Sequence, residues 1–246
     1  MTESARCNWT VLLPVKVLAR AKSRLAVLAG PRRWEIALAM ASDTVAAVVD
    51  CPQVARVIVV TSDPLAGERL AALGAIVVPD VFAGAAGLDG PGGPGGERNA
   101  PRTGDGSQRG LNGALLHGAA VASRRWPGTA LAALPADLPS LRPAELATAL
   151  RAAAGTARAA GGAAFVPDAA GVGTTLYAVL PGGGFLPAFG GASRARHAMG
   201  GAAELALDTV PGLRRDVDTP DDLRAALALG AGFRTTTLAA ELFADA

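Results

Sequence analysis

WTVLLPVK, residues 9–16, is the stretch on which the fold turns. It is a short apolar run bounded by breakers, which suits a strand buried on both faces. VARVIVVTS, residues 54–62, reads the same way. Between them PRRWEIALAMASDTVAAVV, residues 31–49, opens with a proline where a helix tolerates one and sets Ile36, Met40, Ala47 and Val48 at helical spacing. The alternation continues with a helix at about 64–73, a strand at 75–79, a helix at about 111–124, a strand at 129–135 and a helix at about 143–153. Strands that alternate with helices imply a parallel sheet with right-handed crossovers, a doubly wound α/β domain. The last third predicts strands near 163–167, 174–180 and 214–217, a short helix near 193–199 and another from Pro220.

Composition agrees with one globular unit. The chain has 246 residues, half of them apolar and 18% charged, and a domain of this length buries roughly 70 to 75% of its unfolded surface. No apolar run approaches the ~20 residues of a bilayer span, so no membrane partner is expected. The first residues lack a basic n-region and a long apolar h-region, which predicts a cytoplasmic location. Cys7 and Cys51 make neither a disulfide framework nor a CxxC pair. A net charge of +2 without basic clusters argues against nucleic acid as partner. Residues 83–108 hold nine Gly and three Pro in 26 positions and cannot pack; a solvated insertion and an active-site flap are both open there.

In open α/β sheets ligands bind at the carboxyl ends of the strands. The first strand delivers Lys16 to that edge, then Lys22 and Arg24. No glycine occurs from position 9 to 29, which removes both the dinucleotide fingerprint and the Walker loop, so side chains would have to hold any phosphate. Lys16 and Lys22 are the only lysines among 23 basic residues, and an ammonium suits a phosphate as a point charge; a plain basic surface loop is the alternative.

The strand at 129–135 leads into LPADLP, where Asp137 sits between two prolines on a stiffened backbone, as a metal ligand or as a turn residue. A second acidic group is DVDTPDD, residues 216–222. On a strand, Asp216 and Asp218 would share a face and could share a cation, or pair with Arg214 or Arg215. Thr219, Pro220 and Asp222 read as a helix cap with no catalytic role. GVGTT (171–175) and FGGASR (189–194) put hydroxyls beside glycines and could present backbone amides to an anion, the second with a helix N-terminus. His117 and His197 read as structural.

LLPVKVLARAKSRL, VVTSD, RGLNGAL, LPADLPSL, GVGTTLYAV, FGGASRARH and DVDTPDDL, in this order from residue 9 to about 230, resemble the guanylyltransferases of deazaflavin coenzyme (F-420) biosynthesis. That family joins GMP from GTP to phosphoenolpyruvate or 2-phospho-L-lactate and releases pyrophosphate. The resemblance implies a single-domain, nucleotidyltransferase-like (Rossmann-like) α/β fold over residues 1–230, with a mostly parallel sheet flanked by helices and a tail at 231–246 that either closes the fold or docks a partner. It implies Mg2+ on Asp137, Asp216 and Asp218, the acceptor on Thr174, Gly190 and Ser193, the triphosphate on Lys16, Lys22 and Arg24, and Asn112 near the nucleotide. Lys16, Lys22 and Asp137 are then the expected catalytic residues. Phosphoenolpyruvate is the expected acceptor, because the arginine-rich composition suggests an actinobacterial source; a downstream enzyme that takes the labile product is a further expected partner. A molybdenum-cofactor type of nucleotidyltransferase and a non-catalytic nucleotide-binding module are the alternatives. Three converging carboxylates argue against the silent module.

Overall fold

The computed structural model describes residues 8–82, 106–159 and 161–244, with the backbone alone at Arg20 and at 106–109. Strands β1 (Trp9–Pro14), β2 (Val54–Val60), β3 (Ile76–Val78), β4 (Ala130–Ala133), β5 (Ala163–Pro167), β6 (Thr174–Val179) and β7 (Ala203–Glu204) form one sheet in the order β3-β2-β1-β4-β6-β5-β7. The helices are α1 (Ala26–Ala29), α2 (Arg33–Val49), α3 (Pro64–Ala71), α4 (Gly106–Arg125), α5 (Pro143–Ala159), α6 (Ser193–Met199), α7 (Pro211–Arg214), α8 (Pro220–Leu229) and α9 (Phe233–Ala244). The single-domain α/β architecture anticipated from the strand–helix alternation is the one observed.

β1 lies at the centre, parallel to β2 on one side and to β4 on the other. Its side chains alternate as a doubly covered strand requires: Val11 and Leu13 enter the core beneath α2 and α5, while Leu12 enters the core beneath α4. α4 comes so close to the sheet that a Cβ on Gly118 would lie 2.9 Å from Val60 Cγ2, so only glycine fits at that contact. A third apolar cluster joins Ile36 and Met40 on the outer side of α2 to Leu25, Val217, Leu223 and Leu242. The C-terminal tail is part of this cluster. Buried Asp43 on α2 caps α9, accepting a hydrogen bond from Thr235 N at 2.7 Å, so the tail closes the fold against α2.

β6 runs antiparallel to both β4 and β5. The reversal matters, because the start of β6 is thereby brought to the edge where the parallel strands end. The strand expected near 214–217 does not form. Pro211 starts α7, which ends at Arg214, and the following chain is irregular; Val217 N bonds the carbonyl of Asp137 at 3.1 Å instead of a neighbouring strand. The Gly/Pro-rich stretch expected at 83–108 lies outside the described residues except for its last three positions, which open α4. Among the described residues no helix is long and apolar enough to cross a membrane.

Candidate active site at the carboxyl edge of the sheet

One edge of the sheet collects the ends of β1, β2, β4 and β5 and the start of β6. After β1 the chain enters two short 3-10 turns, Leu18–Arg20 and Ser23–Leu25, with Lys22 between them in the left-handed region at φ 53°. A lysine is held there at some cost. Asp63 fixes the loop: its Oδ2 accepts from Leu18 N at 2.9 Å while its Oδ1 caps α3 through Ala66 N at 3.0 Å. The result aims the Lys22 ammonium at the acidic loops. Its Nζ donates to Asp137 Oδ2 and, at 2.7 Å, to Asp218 Oδ1.

Asp137, Asp216 and Asp218 are thus brought together, although 216–218 is not a strand and the shared-face argument does not apply. The main-chain bond from Val217 to Asp137 joins the two loops, and buried Val217 anchors the second in the third apolar cluster. Asp216 is pushed up to about 7, first by burial and then by the negative charges of Asp137 and Asp218. Burial also works against Asp218, but Lys22, with Arg24 and Lys16 near by, holds that carboxyl below its ordinary value. Lys22 itself is raised: burial opposes its charge, yet Asp137 and Asp218 more than offset this. Arg214 and Arg215 do not pair with Asp216 or Asp218; Arg214 is spent on the carbonyls of Pro167 and Asp168. Thr219 and Asp222 form the capping box expected of them.

Asp137, Asp216 and Asp218 are the side chains of this edge that could hold a divalent cation. Asp137 Oδ1 is buried without a hydrogen-bond partner, and Asp216 is an acid whose ionisation two neighbouring carboxylates oppose. Among the described residues no three acidic or histidine side chains stand at the mutual spacing of metal ligands; the cation between Asp137 and Asp218 is the Lys22 ammonium.

The opposite side of the edge is built from GVGTT and FGGASR. Asp168, just after β5, accepts from Val172 N at 2.9 Å and Gly173 N at 2.7 Å, so those two amides are spent inside the loop and do not face an anion. The α6 terminus is likewise occupied: Ser193 N bonds Gly191 O and Arg194 N bonds Val172 O. The expectation of backbone amides presented to an anion is corrected for Val172 and Gly173 and for the Ser193 and Arg194 amides that open α6. Beside these loops lie the buried residues Thr174 and Ser193, with Gly190 at φ 95° next to them. Arg196 holds the carbonyls of Ala188 and Gly190. Asn112 bonds both main-chain groups of Phe189, donating from Nδ2 to its carbonyl at 3.2 Å and accepting from its N–H at Oδ1 at 2.9 Å. Any role of Asn112 toward a nucleotide is therefore exercised from a side chain tied to the 185–190 loop.

No protein-family profile matches the chain. Curated proteins do. A phosphoenolpyruvate guanylyltransferase of Thermomonospora curvata is 54% identical over 241 residues, 98% of this chain and 92% of that protein. One of Streptomyces coelicolor is 53% identical over 236 residues, 96% of this chain and 97% of the relative. The chain belongs to the phosphoenolpyruvate guanylyltransferase family. A nucleotidyl transferase from Methanothermobacter shares the fold, with a TM-score of 0.53 at 18% identity over 90% of this chain and 97% of that one. As a member of the guanylyltransferase family the chain is an enzyme, a nucleotidyltransferase.

Two residues that hold the site together escaped the sequence reading. Asp63 ends the VVTSD segment and has the signature of a helix cap before Pro64, which hides its second bond to the lysine loop. Asp168 stands five residues before Gly173 and could have been found as an aspartate turning back on its own loop. It also joins the two sides of the site, since its charge helps to raise Asp216.

Proposed function

We propose that this enzyme transfers GMP from GTP to phosphoenolpyruvate, giving enolpyruvoyl-diphospho-guanosine and pyrophosphate. The observation that carries the reading is the convergence of Asp137, Asp216 and Asp218 with Lys22 at the edge where Lys16 and Arg24 also lie. A phosphate oxygen of the acceptor attacks the α-phosphorus, the bond from that phosphorus to the oxygen bridging to the β-phosphorus breaks, and pyrophosphate leaves with the electron pair. No covalent enzyme intermediate is needed, so the residues act by positioning and by offsetting charge.

Lys16, Lys22 and Arg24 would meet the triphosphate, Lys22 from its place between Asp137 and Asp218. Asp137, Asp216 and Asp218 would hold Mg2+, which when bound offsets negative charge on the attacking and leaving oxygens. Asp216, raised to about 7, would have to give up its proton to act as a ligand. Thr174 and Ser193 donate hydroxyl hydrogen bonds to the acceptor, and Gly190 lets it approach the main chain. Asn112 keeps the 185–190 loop in register with α4. Substrates of this kind fit a cytoplasmic enzyme.

The test is pyrophosphate release from GTP and Mg2+ with phosphoenolpyruvate, with 2-phospho-L-lactate and with neither. Mass spectrometry of the product from equal concentrations of the two acceptors gives the ratio. Release dependent on an acceptor, with the enolpyruvoyl product dominant, is expected. A dominant lactyl product overturns the acceptor, and release with no acceptor or with no preference for GTP overturns the reaction.

A further inference from the structure

His197, read from sequence as structural, is bonded at both ring nitrogens. The Ala188 N–H donates to Nε2 at 2.9 Å, and Nδ1 lies 2.9 Å from Thr174 Oγ1. A main-chain N–H can only donate, so Nε2 is the bare nitrogen and the proton of the neutral ring sits on Nδ1. The ring is 2% exposed, and burial together with the charge of Arg196 keeps it neutral. Nδ1–H therefore faces the Thr174 hydroxyl oxygen, with the Ser193 carbonyl as a second acceptor, and the hydroxyl's own proton is turned away from the ring.

The ring cannot flip to reverse these roles easily. It is stacked on Tyr177 at 4.6 Å and 16°, meets Phe189 edge-on at 5.3 Å and lies 5.8 Å from Phe165. Thr174 and Tyr177 are three residues apart and would face opposite sides of a regular strand. The pairing slips between Val166↔Leu176 and Pro167↔Thr174, a bulge that lets one imidazole meet both. Bulges that re-aim a side chain are common beside active sites.

We propose that His197 is a positioning residue for the acceptor: its fixed Nδ1–H tautomer makes the Thr174 hydroxyl a dedicated hydrogen-bond donor to an anionic oxygen, and its Nε2 sets the 188–190 main chain at a constant distance from that hydroxyl. The inference rests on the reading of Thr174 as an acceptor-binding residue. It gives the site a selectivity, since an oxygen that can only accept is favoured over one that must donate.

Steady-state kinetics of Thr174→Val, His197→Gln, His197→Asn and the double variant His197→Gln/Thr174→Val test it, with thermal midpoints measured alongside. Thr174→Val raises the acceptor KM by about tenfold or more, the scale of a hydrogen bond to a charged group, with the GTP KM unchanged. His197→Gln has the same effect and adds little to Thr174→Val, whereas His197→Asn, which keeps an N–H where Nδ1 stood, recovers most of the affinity. A normal acceptor KM in Thr174→Val sinks the acceptor-site reading itself. Independent, additive losses from the two residues sink the role of His197 and leave that reading standing, as does a His197 variant that only melts earlier. Nitrogen-15 NMR of the wild-type ring needs no variant to fold: a proton found on Nε2 overturns the proposal.

Discussion

Lys22 and His197 are each the centre of one half of the site, and they are held in opposite ways. Lys22 stands on an irregular loop in a left-handed conformation and is bound by two carboxylates that lie 115 and 196 residues further along the chain. His197 is packed among three aromatic rings, with neutral hydrogen bonds at both nitrogens. The first half is charged and only partly buried, so a cation or a polyphosphate can exchange for its ion pairs. The second centres on a neutral, close-packed ring, so it can hold a small ligand at fixed distances but cannot rearrange cheaply. A nucleotidyl transfer needs both: charge that follows the leaving pyrophosphate, and an acceptor that stays in place.

The contrast is broken most directly at the carboxylates. Asp137→Asn and Asp218→Asn each lower kcat by roughly two to three orders of magnitude, the scale of one deleted electrostatic stabiliser. Asp222→Asn, in the capping box of α8, leaves kcat near wild type. If either of the first two variants kept more than half of the turnover at saturating Mg2+, the charged half would not be where the chemistry occurs.

The neutral half should reveal itself through pH. His197 is pushed down to about 4 from an ordinary value of 6.5, by burial first and then by Arg196. Above pH 6.5 the ring is neutral folded and unfolded, and its titration contributes nothing. As pH falls from 6.5 through 4 the unfolded chain takes up a proton that the folded ring refuses, so stability is lost, by up to about 3 kcal/mol. Urea unfolding at pH 7.5 and 4.5 measures it. His197→Asn lacks this component, and an unchanged difference between the two pH values in that variant would show that the loss comes from other groups.

Ser193→Ala tests the same half more gently. Ser193 is buried, and losing its hydroxyl raises the acceptor KM by an amount equivalent to about 1.5 to 3 kcal/mol while the GTP KM holds. Equal effects on both substrates would place Ser193 in the frame rather than at the acceptor.

The smallest effect separates the two lysines. Lys22→Ala leaves Asp137 and Asp218 facing each other and costs ~2 kcal/mol of stability without Mg2+, between the values for exposed and buried pairs. Added Mg2+ restores part of the thermal midpoint. Lys16→Ala, at an exposed position, lowers kcat/KM for GTP with little change in melting. A Lys22→Ala protein that melts normally without Mg2+ would mean that the ion pairs contribute nothing to the fold.

How much of this could be read in advance follows from how far each interaction reaches along the chain. The apolar runs of β1 and β2, the spacing of Ile36 and Met40 on α2 and the Thr219–Asp222 cap all depend on neighbours within a few residues, and local periodicity and cap chemistry carry them. What local pattern could not supply was the partner of Lys22, the second bond of Asp63 or the tautomer of His197, each of which joins segments set side by side by the sheet order. The missing strand at 214–217 has the same origin, because the N–H of Val217 is taken by a loop carbonyl from a distant segment. The sequence by itself thus determined the parallel α/β frame and which loops carry charge and hydroxyls. Only the tertiary structure decided which charge meets which and which hydroxyl is left to donate, because hydrogen bonds and ion pairs are fixed by distances of a few ångströms between residues that are far apart in the chain.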